Sequence, residues 1–130
     1  MRFLMLIYPN LPQTHDKWMP SAEAIASMER YNQELSEAGV LIALDGVLAP
    51  DQGARIHFNG PAPTVKDGPF TEAKEIVGGF WILDCASKDE AVEWAKRCPL
   101  SGDDFIEVRQ IAGEADFAPE VRAATEAAQA

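Results

Sequence analysis

The order of the apolar segments along the chain constrains its fold more than any other feature. Two short, continuously apolar runs, at 3–8 and 79–85, are each followed by a segment with helical spacing and then by another strand-like run. Runs of this length are typical of buried strands, and strand–helix–strand units place their strands in one sheet. The sequence therefore predicts one sheet with helices packed against it.

Cap and stop residues mark the ends of both predicted helices. Ser21 offers the cap oxygen of the first helix, and Gly39 supplies its stop. Ser87 and Glu90 form a capping box at the start of the second helix, which Pro99 ends. Both helices carry an apolar stripe suited to packing on a sheet.

The residues between the two helices predict a strand and an inserted hairpin. The apolar run 40–48 is interrupted by Asp45-Gly46, which indicates a bulge or a strand end. The segment 54–58 alternates polar and apolar residues, and 64–66 is predicted to return as the second arm after an Asn-Gly turn signal. A last strand is predicted over 105–111.

Together these elements predict an α+β, ferredoxin-like fold, in which an antiparallel sheet carries two helices on one face and an inserted hairpin. The chain has 130 residues, which suits a single domain, assigned to 1–113. The polar, proline-containing segment 10–20 is predicted to be a loop. Residues 114–130 are predicted to be an Ala/Glu-rich C-terminal tail that the core fold does not need.

The predicted strands are apolar on both faces, although helices cover only one. Monomeric proteins rarely leave such a face exposed to water. A second copy packed sheet to sheet is the simplest cover, so the sequence predicts a homodimer of the dimeric α/β-barrel type.

Charge and hydropathy exclude two classes of partner. Acidic residues number 21 against 11 basic ones, for a net charge of −10. Nucleic acids and anionic membranes attract proteins through lysine and arginine clusters, so neither is a predicted partner. The apolar run at the N-terminus ends too early for a signal peptide, and no run is long enough to span a membrane, so a cytoplasmic location is predicted.

The inventory of reactive side chains predicts no metal and no cofactor. Cys85 and Cys98 form no CxxC pair, and both are predicted to be buried hydrophobes and not reactive thiols. His15 and His57 are the only histidines, too few for a histidine-rich zinc site. The chain also has no P-loop, dinucleotide fingerprint or nucleophile elbow.

The least generic segment is 67–75, which begins Asp67-Gly68-Pro69 and carries four charged residues. Asp67 can accept hydrogen bonds from nearby backbone N–H groups, and Pro69 fixes the chain direction, as in an ordinary turn. The charge density exceeds what a connection requires, although a solvated surface turn is the more common origin of such a segment. Both interpretations, a structural turn and a functional site, remain open at this point.

This segment resembles the signature of the DGPF branch of the YCII-related proteins. The motif Asp67 to Phe70 carries the resemblance, together with 39–48, 78–81 and 107–109. The resemblance implies a ferredoxin-like dimer resembling an α/β barrel, bacterial origin and genetic association with extracytoplasmic-function sigma factors. It brings no agreed activity, although a few relatives resemble dehydrochlorinases acting on chlorinated hydroxyhydroquinones.

The wider YCII group has been proposed to use a His–Asp pair, whose histidine lies on the first helix. The predicted first helix here contains no histidine, so only Asp67 carries over as a candidate catalytic residue. The charged residues that trail the motif also match it, and they are candidate substrate-binding residues: Glu72, Lys74 and Glu75.

Two further groups are candidates from their chemistry. Asp45 stands at a predicted strand end. If Asp45 and Asp67 share a cleft, one of the two carboxyl groups is forced toward the neutral form and acts as the acid, while the other acts as the base. His57 is a candidate proton shuttle, because its ordinary pKa is near 6.5, and Arg55 beside it would bind an anionic substrate. The bland alternatives are surface ion pairs and an exposed histidine without a role.

Two function classes therefore remain open. In the first, the protein binds a small aromatic or anionic molecule in a cleft beside the DGPF turn, with Asp67 as the base of cofactor-free acid–base catalysis. In the second, it is a non-catalytic ligand-binding or accessory protein of a sigma-factor circuit. The sequence decides neither the substrate nor whether the protein is an enzyme.

Overall fold

A four-stranded antiparallel sheet forms the centre of the computed structural model, which describes residues 1–129. The strands are β1 (Arg2–Tyr8), β2 (Leu41–Gly46), β3 (Ala54–His57), β4 (Thr64–Asp67), β5 (Gly79–Asp84) and β6 (Phe105–Gln110). The helices are α1 (His15–Trp18), α2 (Ala22–Glu37), α3 (Lys88–Lys96) and α4 (Pro119–Gln129), with 3₁₀ turns at Pro50–Gln52 and Glu114–Asp116.

The strand order of the main sheet is β2-β5-β1-β6, and β3 and β4 form a separate two-stranded sheet. The helices α2 and α3 connect β1 to β2 and β5 to β6, so the chain follows two strand–helix–strand units. This mixed α+β architecture is consistent with the predicted ferredoxin-like fold, and the inserted hairpin between 54 and 67 is confirmed.

Both predicted helix caps are present. The Ser21 side chain accepts a hydrogen bond from the Ala24 N–H at 3.1 Å, and the chain leaves α2 through Gly39, whose φ is 74°. Ser87 accepts from the Glu90 N–H at 3.2 Å. The Glu90 carboxylate accepts in return from the N–H of Ala86, one residue before the cap.

The core lies between the helices and one face of the main sheet. Its largest fully buried side chains are Phe3, Met5, Leu35 and Leu83. Tyr31 of α2 meets Trp81 of β5 edge to face, with ring centroids 5.9 Å apart. Cys85 and Cys98 are both buried, as predicted.

One local prediction was wrong. The loop predicted over 10–20 contains the short helix α1, held by burial of Trp18, whose indole N–H donates to the Val47 carbonyl at 3.1 Å. The predicted break at Asp45-Gly46 is confirmed as a strand end, because β2 ends at Gly46, and the register irregularity of β2 lies between Leu41 and Ala43. The predicted Ala/Glu-rich tail contains the helix α4, for which its alanine and glutamate content is well suited, and that the core fold does not need it stays a prediction.

Membrane crossing requires a long apolar helix, and none of the helices within residues 1–129 meets that requirement.

Candidate functional site

The DGPF turn is anchored by its glycine and its phenylalanine. A Cβ on Gly68 would overlap the carbonyl oxygen of Pro50, and the Gly68 N–H donates to the Gly53 carbonyl at 3.0 Å. Phe70 is buried, and Gln13 binds both its backbone groups: the Phe70 N–H donates to Oε1 at 2.6 Å, and Nε2 donates to its carbonyl at 2.8 Å. Packing and backbone hydrogen bonds therefore account for these two motif residues.

Asp67 differs from the rest of the turn. It is exposed, pairs with Ala54 in the small sheet, and its carboxylate makes no hydrogen bond within residues 1–129. An Asp that merely braced a turn would accept hydrogen bonds from nearby N–H groups. Asp67 is thus not engaged in holding the turn and stays available to a ligand.

The other predicted residues of the hairpin lie apart from Asp67. Because side chains alternate along a strand, Asp67 shares a hairpin face with Ala54, whereas Arg55 and His57 lie on the opposite face. The Arg55 guanidinium stacks on the buried ring of Phe70, 4.1 Å from its centroid. The structure therefore does not bring Asp67, Arg55 and His57 together on one surface.

The charged residues after the motif lie on the segment that leads into β5. Glu72, Lys74 and Glu75 are exposed, and within residues 1–129 their side chains form no ion pair. This segment ends against the first strand, where the Gly78 N–H donates to the Ile7 carbonyl at 2.8 Å. The path takes Glu75 close enough to Tyr8 for its charge to raise the tyrosine pKa.

The face of the main sheet opposite the helices, here called the open face, has an apolar floor. Leu4 and Leu6 of β1 stand in register with Ile82 and Phe80 of β5. All four are half-buried, although no helix of residues 1–129 covers them. Such a floor suits a flat apolar ligand or another apolar surface.

Polar residues flank this floor on both edge strands. Asp45 of β2 pairs with Phe80, and Glu107 of β6 pairs with Leu6, so two carboxylates stand at opposite ends of one cross-strand row. Asp45 and Asp67 lie in different sheets, and no contact joins them within residues 1–129.

Tyr8, Glu107 and Arg109 form a connected polar cluster beside the floor. The Tyr8 hydroxyl donates to Glu107 Oε1 across a long 3.4 Å, and its ring stacks on Phe105 with centroids 4.6 Å apart. Arg109 Nε lies 3.7 Å from Glu107 Oε2. The two Glu107 oxygens thus face a hydrogen-bond donor and a cation.

Burial raises the pKa of Tyr8 above its ordinary value, and the charges of Glu107 and Glu75 raise it further. The phenol therefore keeps its proton at neutral pH and acts as a hydrogen-bond donor. An apolar floor beside a retained phenol proton, a carboxylate and a guanidinium can bind a small aromatic molecule through both its ring and its polar substituents.

Sequence reasoning missed Tyr8, Glu107 and Arg109 as site residues. The pattern contained a usable signal, because Glu107 and Arg109 are two residues apart and share one face of a strand whose other face is apolar. Tyr8 gives no such signal, since only the pairing of β1 with β6 brings it beside Glu107.

No three His, Cys, Asp or Glu residues within 1–129 are grouped so that they could hold a metal ion.

Comparison with known proteins gives two findings. The sequence profile described as the YCII-related domain matches residues 1–115. A curated relative, an uncharacterised protein of Rhizobium meliloti (strain 1021), is 34% identical over 89 residues, covering 63% of this chain and 72% of the relative.

Proposed function

The chain belongs to the YCII-related family, and we propose that it binds a small aromatic molecule with a hydroxyl or carboxylate substituent on the open face of its main sheet. The observation that carries the proposal is the cluster of Tyr8, Glu107 and Arg109 at the edge of a half-buried apolar floor. We further propose, from the motif Asp67 to Phe70, that the chain belongs to the DGPF branch.

The chemistry of the floor and the cluster defines the ligand class. An aromatic ring laid on Leu6 and Phe80 gains from burial of its apolar surface. The single Tyr8 O–H turns from Glu107 to a ligand oxygen when the ligand binds, and Arg109 attracts a negatively charged substituent. An anion without a ring would forgo the floor, which supports the aromatic class over the purely anionic one.

A second copy of the chain encloses the site in this proposal. One open sheet face is a surface and not a cleft, whereas two faces packed around a ligand exclude water and strengthen each polar contact. The half-buried aliphatic residues of the floor support a homodimer built in this way, because they remain in contact with water in a single chain.

Acid–base catalysis without a cofactor is compatible with this arrangement. In such a step Glu107 accepts a proton from the bound ligand, and Tyr8 donates a hydrogen bond to the oxygen on which negative charge develops. Asp67, which lies in the small sheet and not on the open face, remains a second candidate base. Binding without turnover assigns the protein to the non-catalytic class instead.

The test measures the binding of salicylate to the full chain by ligand-detected NMR. Salicylate carries a ring, a hydroxyl and a carboxylate. We expect Tyr8→Phe to weaken salicylate binding about threefold to tenfold, because one hydrogen bond of roughly 1 kcal/mol is lost. Lys66→Gln on the exposed hairpin is the matched control and should bind as the parent protein does.

Cyclohexanecarboxylate keeps the charge of the probe but lacks its aromatic ring and hydroxyl, and we expect it to bind more weakly than salicylate. If Tyr8→Phe leaves salicylate binding unchanged while Asp67→Asn abolishes it, the site lies at the hairpin and the proposal for the open face is wrong.

A further inference from the structure

The C-terminal helix α4 is amphipathic, but within residues 1–129 no strand or other helix packs along it. Its apolar side includes Val121, and Phe117 lies two residues before its start; each of these side chains is 47% exposed. This side borders a pocket of about 180 Å³ and not a packed surface. An amphipathic helix of this length gains most of its stability from burying its apolar face, so α4 lacks the contact that would normally hold it.

An apolar groove of matching character lies elsewhere on the molecule, between α3 and the edge strand β6. Its volume is about 560 Å³. Its apolar wall includes Val92, Ala95, Leu100 and Val108, all half-buried. The groove lies on the helix-covered side of the sheet, so it is separate from the open face.

The lengths of the helix and the groove agree. The helix α4 has 11 residues, or about 16 Å at 1.5 Å per residue. The helix α3, which forms one wall of the groove, has 9 residues, or about 13 Å. Val121 lies near the start of α4. When Val121 contacts the apolar wall of the groove, the remaining residues of α4 lie along the groove.

The charges of the two surfaces are complementary. Lys88 and Lys96 stand at the groove, two of only 11 basic residues in a chain with a net charge of −10. Lys96 Nζ pairs with Glu93 of α3 at 2.8 Å, so within residues 1–129 Lys88 is the groove cation without an ion pair, and it can meet Glu120 or Glu126 of a docked α4.

We propose that α4 of one copy docks in the α3–β6 groove of a second copy, and that the second copy returns its own α4 in the same way. The exchange is an isologous contact, in which each copy both gives and receives one helix. It needs only a second copy of this chain and does not depend on the proposed ligand.

The experiment places one cysteine on each surface, in separate full-length chains that differ in a tag. One chain carries Val92→Cys in the groove, and the other carries Val121→Cys on α4. Cys98 lines the groove, so both chains also carry Cys98→Ser; the other natural thiol, Cys85, is buried, and burial raises its pKa, so mild oxidation leaves it unreacted.

We expect the mixed chains to form a covalent heterodimer on oxidation at micromolar concentration. Each variant alone, and Val121→Cys mixed with Ser36→Cys on the exposed side of α2, should stay mostly uncrosslinked. Labelling by a small maleimide confirms that the new thiols are accessible. A second pair of chains, with Lys96→Cys at the groove and Glu120→Cys on α4, should also crosslink. Adding Val92→Glu to the Lys96→Cys chain should abolish that crosslink, because the charge cannot be buried under α4.

A mixture that yields no heterodimer overturns the proposal. If one chain carrying both cysteines then closes an internal disulfide, α4 docks in its own groove and not in that of a second copy. Loss of salicylate binding leaves this crosslink unaffected, so failure of the proposed function and failure of the helix exchange are distinguishable.

Discussion

The two faces of the main sheet are built from the same four strands but differ in burial and in proposed role. On the helix-covered face of β1, Phe3 and Met5 are fully buried. On the open face of the same strand, Leu4 and Leu6 are only half-buried. The side-chain period of two separates the faces, so one strand supplies a packed core and a floor for binding.

The polar groups of the two faces differ in the same way. On the covered face the Tyr31 hydroxyl donates to the Trp94 carbonyl at 2.7 Å, and the Trp81 indole donates to Asn32 at 2.8 Å. On the open face the bond from Tyr8 to Glu107 is long, at 3.4 Å. Short hydrogen bonds within the core fix its structure, whereas the open-face groups keep capacity for a further partner.

Removing a leucine from each face is the largest test of this comparison. Leu83→Ala leaves a cavity in the core and should lower the free energy of unfolding by about 2–5 kcal/mol. Leu6→Ala should cost only about 1 kcal/mol at low protein concentration, because that side chain is half-buried. Urea unfolding of both variants measures the difference.

The leucine pair also tests the proposed dimer. If a second copy covers the open face, the cost of Leu6→Ala grows with protein concentration, whereas the cost of Leu83→Ala does not change in this way. If Leu6→Ala and Leu83→Ala lower the free energy of unfolding equally at every protein concentration, the distinction between the open face and the covered face is wrong.

The DGPF turn offers a smaller test, because its residues have separate roles. Gly68→Ala places a methyl group against the Pro50 carbonyl and should cost about 1–3 kcal/mol of stability. Asp67→Ala should change stability by less than about 0.5 kcal/mol, since its exposed carboxylate makes no hydrogen bond within residues 1–129. Gly60→Ala, where a Cβ meets only ordinary contacts, is the control for Gly68.

Thermal unfolding of the three turn variants ranks them. A large loss of stability in Asp67→Ala would show that the aspartate holds the turn, and the motif would then be a structural signature throughout.

Alkaline pH should affect the tyrosines of the two faces differently. The expected change in the free energy of unfolding is smaller than that of the substitutions above. Burial raises the pKa of Tyr31 far above 10, so its contribution to stability is full below pH 10 and is lost as pH rises toward the folded value. The free energy of unfolding should fall by up to about 1.4 kcal/mol per pH unit from this group. Tyr31→Phe should flatten that slope.

Tyr8 has a raised pKa as well and contributes in the same direction. Because it lies on the half-buried open face, Tyr8→Phe should change the alkaline slope less than Tyr31→Phe does. A larger effect of Tyr8→Phe, followed by denaturant unfolding between pH 9 and 12, would contradict the assignment of the core to the other face.

Cap chemistry and hydrophobic period predicted the framework well because both act over a few neighbouring residues. Ser21 and Ser87 cap their helices as expected, and the hairpin at 54–67 follows from alternation around a turn signal. The helix α1 was missed, since its four residues depend on burial of Trp18 against a distant carbonyl.

The candidate site was harder to predict than the fold because strand pairing assembles it. Tyr8 and Glu107 are 99 positions apart in the sequence, and only the register of β1 with β6 joins them. Asp67, proposed from the motif, and Arg55, proposed from its position beside His57, are both in the hairpin but lie on its opposite faces.

The most direct measurement of the central claim is a titration of the methyl-labelled protein with salicylate, followed by NMR chemical shifts. We expect the methyl groups of Leu4, Leu6 and Ile82 to shift together, while those of Leu35 and Leu83 in the core do not. Shifts confined to Ile56 and Val65 of the hairpin would contradict it and place ligand binding beside Asp67 instead.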